Sequence, residues 1–170
     1  MEIWDIYDRK KQVTGRTMVR DDWRLKEGEY HLSVLAVIKH SSTGKYLITK
    51  RAENKAWGAR WWEVPGGAVK AGETSFNAVL REIKEETGLD ASKAKGKLLY
   101  DYHRENIKEG DNYFVDVYLF EMNFSEEEIH LQEEETADFQ IADYDKITSY
   151  GTAGVFLHFE SLKKAFKAVP

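Results

Sequence analysis

Residues 67–89 constrain the fold of this chain more than any other stretch. They read GAVKAGETSFNAVLREIKEETGL, and the middle of the stretch has the spacing of an amphipathic helix. The residues that would form its apolar stripe are Phe76, Val79, Leu80 and Ile83. Thr74 is placed to cap the first turn with its hydroxyl, and Gly88 is placed to end the helix in a left-handed conformation. The stretch therefore predicts one helix packed against a core.

Three glutamates lie beside that stripe and point to a specific chemistry. Glu82, Glu85 and Glu86 stand at positions i, i+3 and i+4, so they neighbour one another on the helix surface. Like charges at this spacing disfavour a helix unless something positive lies among them. Arg81, four residues before Glu85, can hold that carboxylate, and a hard divalent cation accepts carboxylate oxygens. A solvated acidic face is the alternative interpretation.

Glycines cluster just before the predicted helix and favour a binding site over a plain acidic face. Gly66, Gly67 and Gly72 stand where the backbone must turn tightly or approach a ligand closely, and Glu73 stands at the helix start. With these positions included, the stretch resembles the Nudix box, in which a glycine, a glutamate and the pattern R-E-U-x-E-E-x-G-U occur at fixed spacing, U being bulky and aliphatic. The matching residues are Gly67, Glu73, Arg81, Glu82, Ile83, Glu85, Glu86, Gly88 and Leu89.

The resemblance implies an α/β fold, a Nudix α/β/α sandwich with a mixed sheet. It also implies hydrolysis of a diphosphate linked to another moiety, with Mg²⁺ or Mn²⁺ as cofactor. Carried over by position, the metal-binding groups are Glu82, Glu85, Glu86 and the carbonyl of Gly66. The resemblance assigns Glu73 and Arg81 to steadying the loop and the helix, although Glu73 could act only on the helix dipole.

Many members of the family bring a further carboxylate from a late loop, as a base or an extra ligand. The candidates here are Glu133, Glu134 and Glu135, and we favour Glu134 or Glu135 because they come just before a predicted strand at 139–142. A solvated acidic loop is the alternative for each of them.

Basic residues ahead of the box are candidates for binding the substrate phosphates. Arg51 ends a predicted core strand, and Lys55 and Arg60 lie in the loop that leads to the box. Each could be an ordinary surface residue, but together they would place positive charge near the site.

Composition narrows the function further. A chain of 170 residues with 42% hydrophobic residues can form one domain with a core, so we expect a single domain over 1–170. It has no cysteine, which excludes a disulfide, a thiolate nucleophile and a cysteine zinc site. The net charge of −5 argues against a nucleic-acid surface, and no apolar run is long enough to span a membrane. We expect a cytoplasmic protein acting on a small nucleotide diphosphate.

The first 22 residues predict an N-terminal β-hairpin outside the minimal domain. Alternating runs at 3–7 and 16–20 flank a turn predicted at Thr14 and Gly15. The position of the hairpin, before the first core strand, predicts that it is dispensable for the fold but not for assembly or substrate choice.

The hairpin could be a packing flap, a dimer arm, or a lid whose Trp4 or Tyr7 stacks on a base. We favour packing or a homodimer, because aromatic residues on hairpins are usually cross-strand partners. Its sequence resembles a branch near the isopentenyl diphosphate isomerases. Those enzymes use an active-site cysteine and have a degenerate box, so isomerase chemistry is disfavoured here.

The remaining sequence predicts alternating strands and helices with no repeats or linkers. The predicted core strands are 30–40, 45–50, 60–65, 98–104, 113–122 and 139–142. Helices are predicted at 143–150 and 155–168, and a loop at 90–97. Three functions follow: a Nudix pyrophosphohydrolase, which we favour; an isomerase-like enzyme; and an inactive nucleotide-binding module, which the complete box disfavours.

Overall fold

Nine strands and three helices make up the fold in the computed structural model, which describes residues 1–168. The strands are β1 Ile3–Tyr7, β2 Val13–Val19, β3 His31–His40, β4 Tyr46–Arg51, β5 Trp62–Glu63, β6 Gly66–Ala68, β7 Lys95–Arg104, β8 Tyr113–Met122 and β9 Thr136–Ala142. The helices are α1 Ser75–Thr87, α2 Tyr144–Thr152 and α3 Phe159–Phe166. No helix in residues 1–168 is long and apolar enough to cross a membrane.

The central sheet is mixed, as the sequence predicts. Its main order is β5-β4-β3-β8-β7, with β6 paired to β3 and β9 paired to β4. Strands β3 and β8 run parallel over ten residue pairs, and the other pairings are antiparallel. Both members of the parallel pair are long apolar runs, which suits strands that are covered on two faces.

Helices cover both faces of this sheet, which confirms the predicted α/β/α sandwich. Alternate residues of β3, such as Val34 and Ile38, pack with Val79 and Ile83 of α1. Val37 faces the other way and joins the cluster formed by α2 and α3. The sheet therefore holds α1, with the box glutamates, on a rigid base.

Helix α1 begins and ends where the sequence predicts. The Thr74 hydroxyl accepts a hydrogen bond from the Asn77 backbone N–H at 3.1 Å, and Gly88 ends the helix with φ +78°. Phe76 is the one stripe residue that stays largely exposed, although its ring packs beside those of Tyr118 and Phe120.

The hairpin is present, but its turn is not at Thr14 and Gly15. The chain reverses between β1 and β2, where the Asp8 carboxylate accepts hydrogen bonds from the backbone N–H groups of Lys10 and Gln12. Gly15, at φ +83°, lies instead within β2, where the pairing register with β1 shifts. A positive φ suits a bulge as well as a turn, so the glycine alone could not decide between them.

The hairpin packs firmly against the sandwich. Trp4, Ile6 and Met18 form a buried cluster with Leu25. Tyr7 and Tyr30 exchange two backbone hydrogen bonds, of 2.7 and 2.9 Å. This packing agrees with the favoured packing role and argues against a hairpin that is dispensable for the fold.

Long-range pairing changed several predicted boundaries. Residues 95–97, predicted as loop, are part of β7 because they pair with β8, where Gly96 leaves room for the Phe120 ring. Residues 66–68 form an extra short strand on β3. Helix α3 starts later than residue 155, because the backbone N–H of Leu157 donates to the Trp62 carbonyl at 2.9 Å and holds this segment beside β5.

Candidate active site

A cavity of about 420 Å³ opens between the second half of α1, strand β6, the β4–β5 loop and the hairpin. It brings together most, but not all, of the residues that the sequence nominates. The nominated residues that line it are Trp4, Arg51, Lys55, Gly66, Arg81, Glu82, Glu85, Glu86 and Glu135. It is lined as well by residues that the sequence did not nominate, among them Trp23, His31, Trp57, Glu63 and Gln132.

Two glycines allow the strand before the helix to touch the helix carboxylates. A Cβ atom on Gly67 would lie 2.4 Å from Oε1 of Glu82, so only glycine fits without displacing that carboxylate. The Gly66 backbone N–H donates to Oε2 of Glu86 at 3.3 Å. A Cβ on Gly66 would lie 2.2 Å from the Val34 carbonyl oxygen. Gly66 and Gly67 are thus required by close approach, whereas Gly88 is required by its left-handed conformation.

Arg81 ties the loop after β6 to the helix. Its guanidinium donates to both oxygens of Glu73, at 2.8 and 2.9 Å, and to the Ala68 carbonyl at 3.0 Å. It also donates to Glu82 at 2.7 Å and to Glu85 at 3.3 Å. The supporting pair that the resemblance implies is therefore formed, and Glu73 lies outside the cavity.

Arg81 also sets the charge state of its partner on the loop. Burial acts to raise the pKa of Glu73, but hydrogen bonds from Arg81 and from the Lys70 backbone N–H hold that pKa below its ordinary value. The Glu73 carboxylate therefore stays ionised and keeps the clamp closed at neutral pH.

Three carboxyl groups crowd the floor of the cavity. Burial raises the pKa of Glu82 to about 7 against the opposing charge of Arg81. Burial also raises the pKa of Glu63 to about 7, although Arg51 acts against it. The pKa of Glu86 lies well above its ordinary value, because of burial first and then the charges of Glu63 and Glu82.

Glu63 is the residue that sequence reasoning missed most clearly. It lies in β5 three residues before Gly66, and it accepts a hydrogen bond from Arg51 at 3.3 Å. A glutamate inside the apolar run WWEVP was the available signal. Glu63 meets Arg51 because β4 pairs with β5, with Thr49 opposite Glu63. This pairing cannot be predicted from the spacing of neighbouring residues.

The late loop contributes one of its three candidate glutamates. Glu135 lines the cavity and forms an ion pair with Lys55. Its carbonyl accepts from the Ala52 N–H at 3.0 Å, which fastens the late loop to the end of β4. Glu133 and Glu134 are exposed and lie outside the cavity lining, so the structure separates Glu134 from the site.

Only two of the three basic residues that the sequence nominates lie in the cavity. Arg51 lies in the cavity wall with its guanidinium 4.6 Å from the centre of the Trp57 ring, and Lys55 lies nearby. Arg60 points elsewhere, because it pairs with Glu53 at 2.6 Å beside a different surface depression.

The donor set fits a hard divalent cation. Within residues 1–168, no three His, Cys, Asp or Glu side chains form a ready-made metal cluster. Carboxylates whose pKa values rise through burial and mutual repulsion are nevertheless oxygen donors, and a divalent charge would stabilise them in the ionised form. Glu82, Glu86 and the backbone of Gly66 meet at one place and could hold Mg²⁺ or Mn²⁺.

The fold is a mixed α/β/α sandwich in which a helix that carries glutamates lies beside a short glycine-rich strand. Comparisons with known proteins identify the family to which this fold and site belong. The NUDIX domain model matches residues 29–159. An uncharacterized Nudix hydrolase of Listeria monocytogenes is 30% identical over 167 residues, covering 98% of this chain and 94% of the relative. The chain therefore belongs to the Nudix hydrolase family.

Solved structures agree on the fold. DR0079 from Deinococcus radiodurans superposes with a TM-score of 0.72 at 21% identity, covering 91% of both chains. The Escherichia coli dihydroneopterin triphosphate pyrophosphohydrolase gives a TM-score of 0.59 at 18% identity, covering 81% of this chain and 94% of that one. The hairpin precedes the matched domain, but the Listeria alignment is long enough to include it.

Proposed function

We propose that this chain is a pyrophosphohydrolase that uses water to cleave a phosphoanhydride of a nucleoside di- or triphosphate, or of a nucleotide-diphosphate conjugate. The observation that carries the proposal is the convergence of Glu82, Glu86 and Glu63 beside the Gly66–Ala68 strand, in a cavity that also presents Arg51. A phosphoanhydride resists attack because its oxygens are negative and repel a nucleophile.

Each group in the cavity has a part in this chemistry. Glu82, Glu85, Glu86 and the Gly66 carbonyl would hold Mg²⁺ or Mn²⁺, which when bound offsets phosphate charge and lowers the pKa of water. The donor groups that would receive the substrate phosphates belong to Arg51 and Lys55. Glu135 would be the late-loop carboxylate that accepts a proton, because it lines the cavity and pairs with Lys55, whereas Glu134 lies outside the lining.

The two alternatives have less support. An isomerase of the resembling branch would need a cysteine, and the sequence has none. An inactive binding module would not need every box position, and all nine are present. We further propose that the protein works in the cytoplasm on small nucleotides rather than nucleic acids, and that it can form a homodimer.

We expect hydrolysis to depend on a divalent cation. Excess EDTA should abolish turnover of a panel of nucleoside diphosphates, nucleoside triphosphates and nucleotide sugars, and added Mg²⁺ or Mn²⁺ should restore it. The measurement is release of phosphate or of a nucleoside monophosphate, with products identified by chromatography. Circular dichroism in EDTA checks that the fold survives. Full activity in excess EDTA would contradict the proposal, and a rearranged but unhydrolysed diphosphate would favour the isomerase.

A further inference from the structure

The segment between the hairpin and β3 carries a tryptophan to the mouth of the cavity. The Trp23 side chain lines the cavity and remains 46% exposed. Its backbone has φ +33°, and that of Asp21, two residues earlier, has φ +64°. Bulky residues rarely adopt positive φ, and an exposed ring gains little from burial that would compensate. The surroundings must therefore hold this conformation.

Gly110, Trp4 and His31 lie close to Trp23 and hold it in place. The backbone comes so close to Gly110 that a Cβ on that glycine would lie 2.2 Å from the Trp23 carbonyl oxygen. The Leu25 N–H donates to the Gly110 carbonyl at 3.1 Å. Trp4 meets the Trp23 ring edge-on with centroids 6.4 Å apart, and His31 lies at 6.5 Å. The Trp23 ring is therefore held in a defined position at the mouth of the cavity.

Trp4 and His31 form the support behind Trp23. Their rings stack with centroids 4.5 Å apart, and Trp4 is only 3% exposed. Trp4, a candidate from the sequence, also lines the cavity, but its buried and stacked ring offers a base far less surface than the ring of Trp23 does. The hairpin contributes to this part of the cavity through Trp4, which supports the exposed ring of Trp23.

The polar groups of the cavity favour one kind of ligand beside Trp23. Charged and polar residues share the cavity lining with it, among them Glu2, Arg20, Asp21, Ser33 and Gln132. Such a rim suits a planar group with hydrogen-bonding edges and disfavours a plain aliphatic chain. The phosphate-binding candidates Arg51 and Lys55 lie in the same cavity, so a ligand anchored there could place a ring on Trp23.

We propose that Trp23 is the stacking platform for the nucleobase of the substrate, with Trp4 and His31 as its support. The inference rests on the proposed function and deepens it, because it names the part of the substrate that the hairpin side of the cavity recognises. Stacking on an aromatic ring tolerates any base, so Trp23 would favour nucleotides over base-free diphosphates without choosing among bases.

The test compares substrates with and without a base. For wild type, Trp23→Leu and Trp23→Phe, kcat/KM is measured for nucleoside diphosphates and for isopentenyl diphosphate and methyl diphosphate. The base advantage is the ratio between the two groups. Trp23→Leu should lower this ratio about tenfold or more, chiefly through KM, and Trp23→Phe should retain most of it. Trp61→Leu is the matched control, because Trp61 is 38% exposed but lies outside the cavity lining.

Binding separates failure of this inference from failure of the proposed function. Calorimetry with a nucleoside methylenediphosphate, which resists hydrolysis, should show weaker binding to Trp23→Leu than to wild type. If nucleotides are hydrolysed but Trp23→Leu keeps the base advantage, the stacking proposal is wrong and the hydrolase stands. If no diphosphate is hydrolysed but the Trp23-dependent binding remains, the hydrolase proposal fails and the platform stands. A wild type without base advantage in rate or binding overturns the platform. If Trp23→Leu does not fold, Trp23→Gln, which also lacks an aromatic ring, replaces it with the same expected loss.

Discussion

Replacing Glu86 by Gln is expected to lower turnover by more than about 100-fold without unfolding the protein. Changes in groups that only surround a metal site already cost about 10- to 100-fold, and Glu86 would itself be a ligand. Gln keeps the shape of Glu86 and can still accept the hydrogen bond from the Gly66 N–H. The substitution therefore removes charge and leaves the contact.

The same change should stabilise the metal-free protein at alkaline pH. The pKa of Glu86 is raised well above its ordinary value, and those of Glu82 and Glu63 are raised to about 7. The folded state therefore binds protons more tightly than the unfolded state, so stability falls as pH rises from about 4.5 through 7. The loss is up to about 3 kcal/mol for each of Glu82 and Glu63, since one pKa unit is about 1.4 kcal/mol.

Steady-state rates with Mg²⁺ measure the loss of turnover, and thermal melts at pH 5.5 and pH 8, with and without Mg²⁺, measure the change in stability. Metal-free wild type should melt at a lower temperature at pH 8, and Glu86→Gln should reduce that difference. Mg²⁺ should stabilise wild type more than the variant, because binding to the native state raises stability. Glu127→Gln, at an exposed glutamate outside the cavity lining, is the control and should change neither rate nor pH dependence. Wild-type activity in Glu86→Gln would show that Glu86 is not a metal ligand. Unfolding of the variant without metal would show that its role is structural.

What could be predicted from the sequence was fixed by local geometry. The bounds of α1 follow from Thr74 and Gly88, and the helical period places Glu82 and Glu86 together. Arg81 reaches Glu85 across one turn, as that spacing requires. Each of these features depends on residues within a few positions of one another.

Features set by strand pairing could not be predicted in the same way. Arg51 and Arg60 are close in sequence, yet Arg51 meets Glu63 in the cavity and Arg60 turns to Glu53. The β4–β5 pairing and the shape of the loop decide between them. Trp23 was overlooked because its place depends on Gly110, which lies far along the chain.

Deleting residues 1–21 is expected to destabilise the protein severely, contrary to what the position of the hairpin in the sequence predicts. The deletion removes Trp4, Ile6, Tyr7 and Met18, all buried, and each is worth about 1.5–3 kcal/mol of hydrophobic burial. Ordering the hairpin costs entropy that offsets part of this gain. A net loss of about 5 kcal/mol would remove much of the stability of a typical domain.

The hairpin also supplies a charge that the sheet needs. Lys11 forms ion pairs with Asp116 and Asp101, which face each other across β7 and β8. Asp116 is buried and also accepts a hydrogen bond from the hydroxyl of Ser75, at the start of α1. Without Lys11, two like charges would lie opposite one another, one of them buried and unpaired.

Urea unfolding of the truncated chain, of Lys11→Met and of wild type separates the two contributions. Lys11→Met keeps the hairpin and should cost about 3 kcal/mol, the scale for breaking a buried ion pair. Arg9→Met is the control, because the Arg9–Glu27 pair is exposed on both sides and such pairs contribute little. The truncated chain should lose more than Lys11→Met, because it also loses the apolar cluster around Trp4. Cooperative unfolding of the truncated chain with wild-type stability would show that the domain begins near residue 29 and that the hairpin serves only the cavity or assembly.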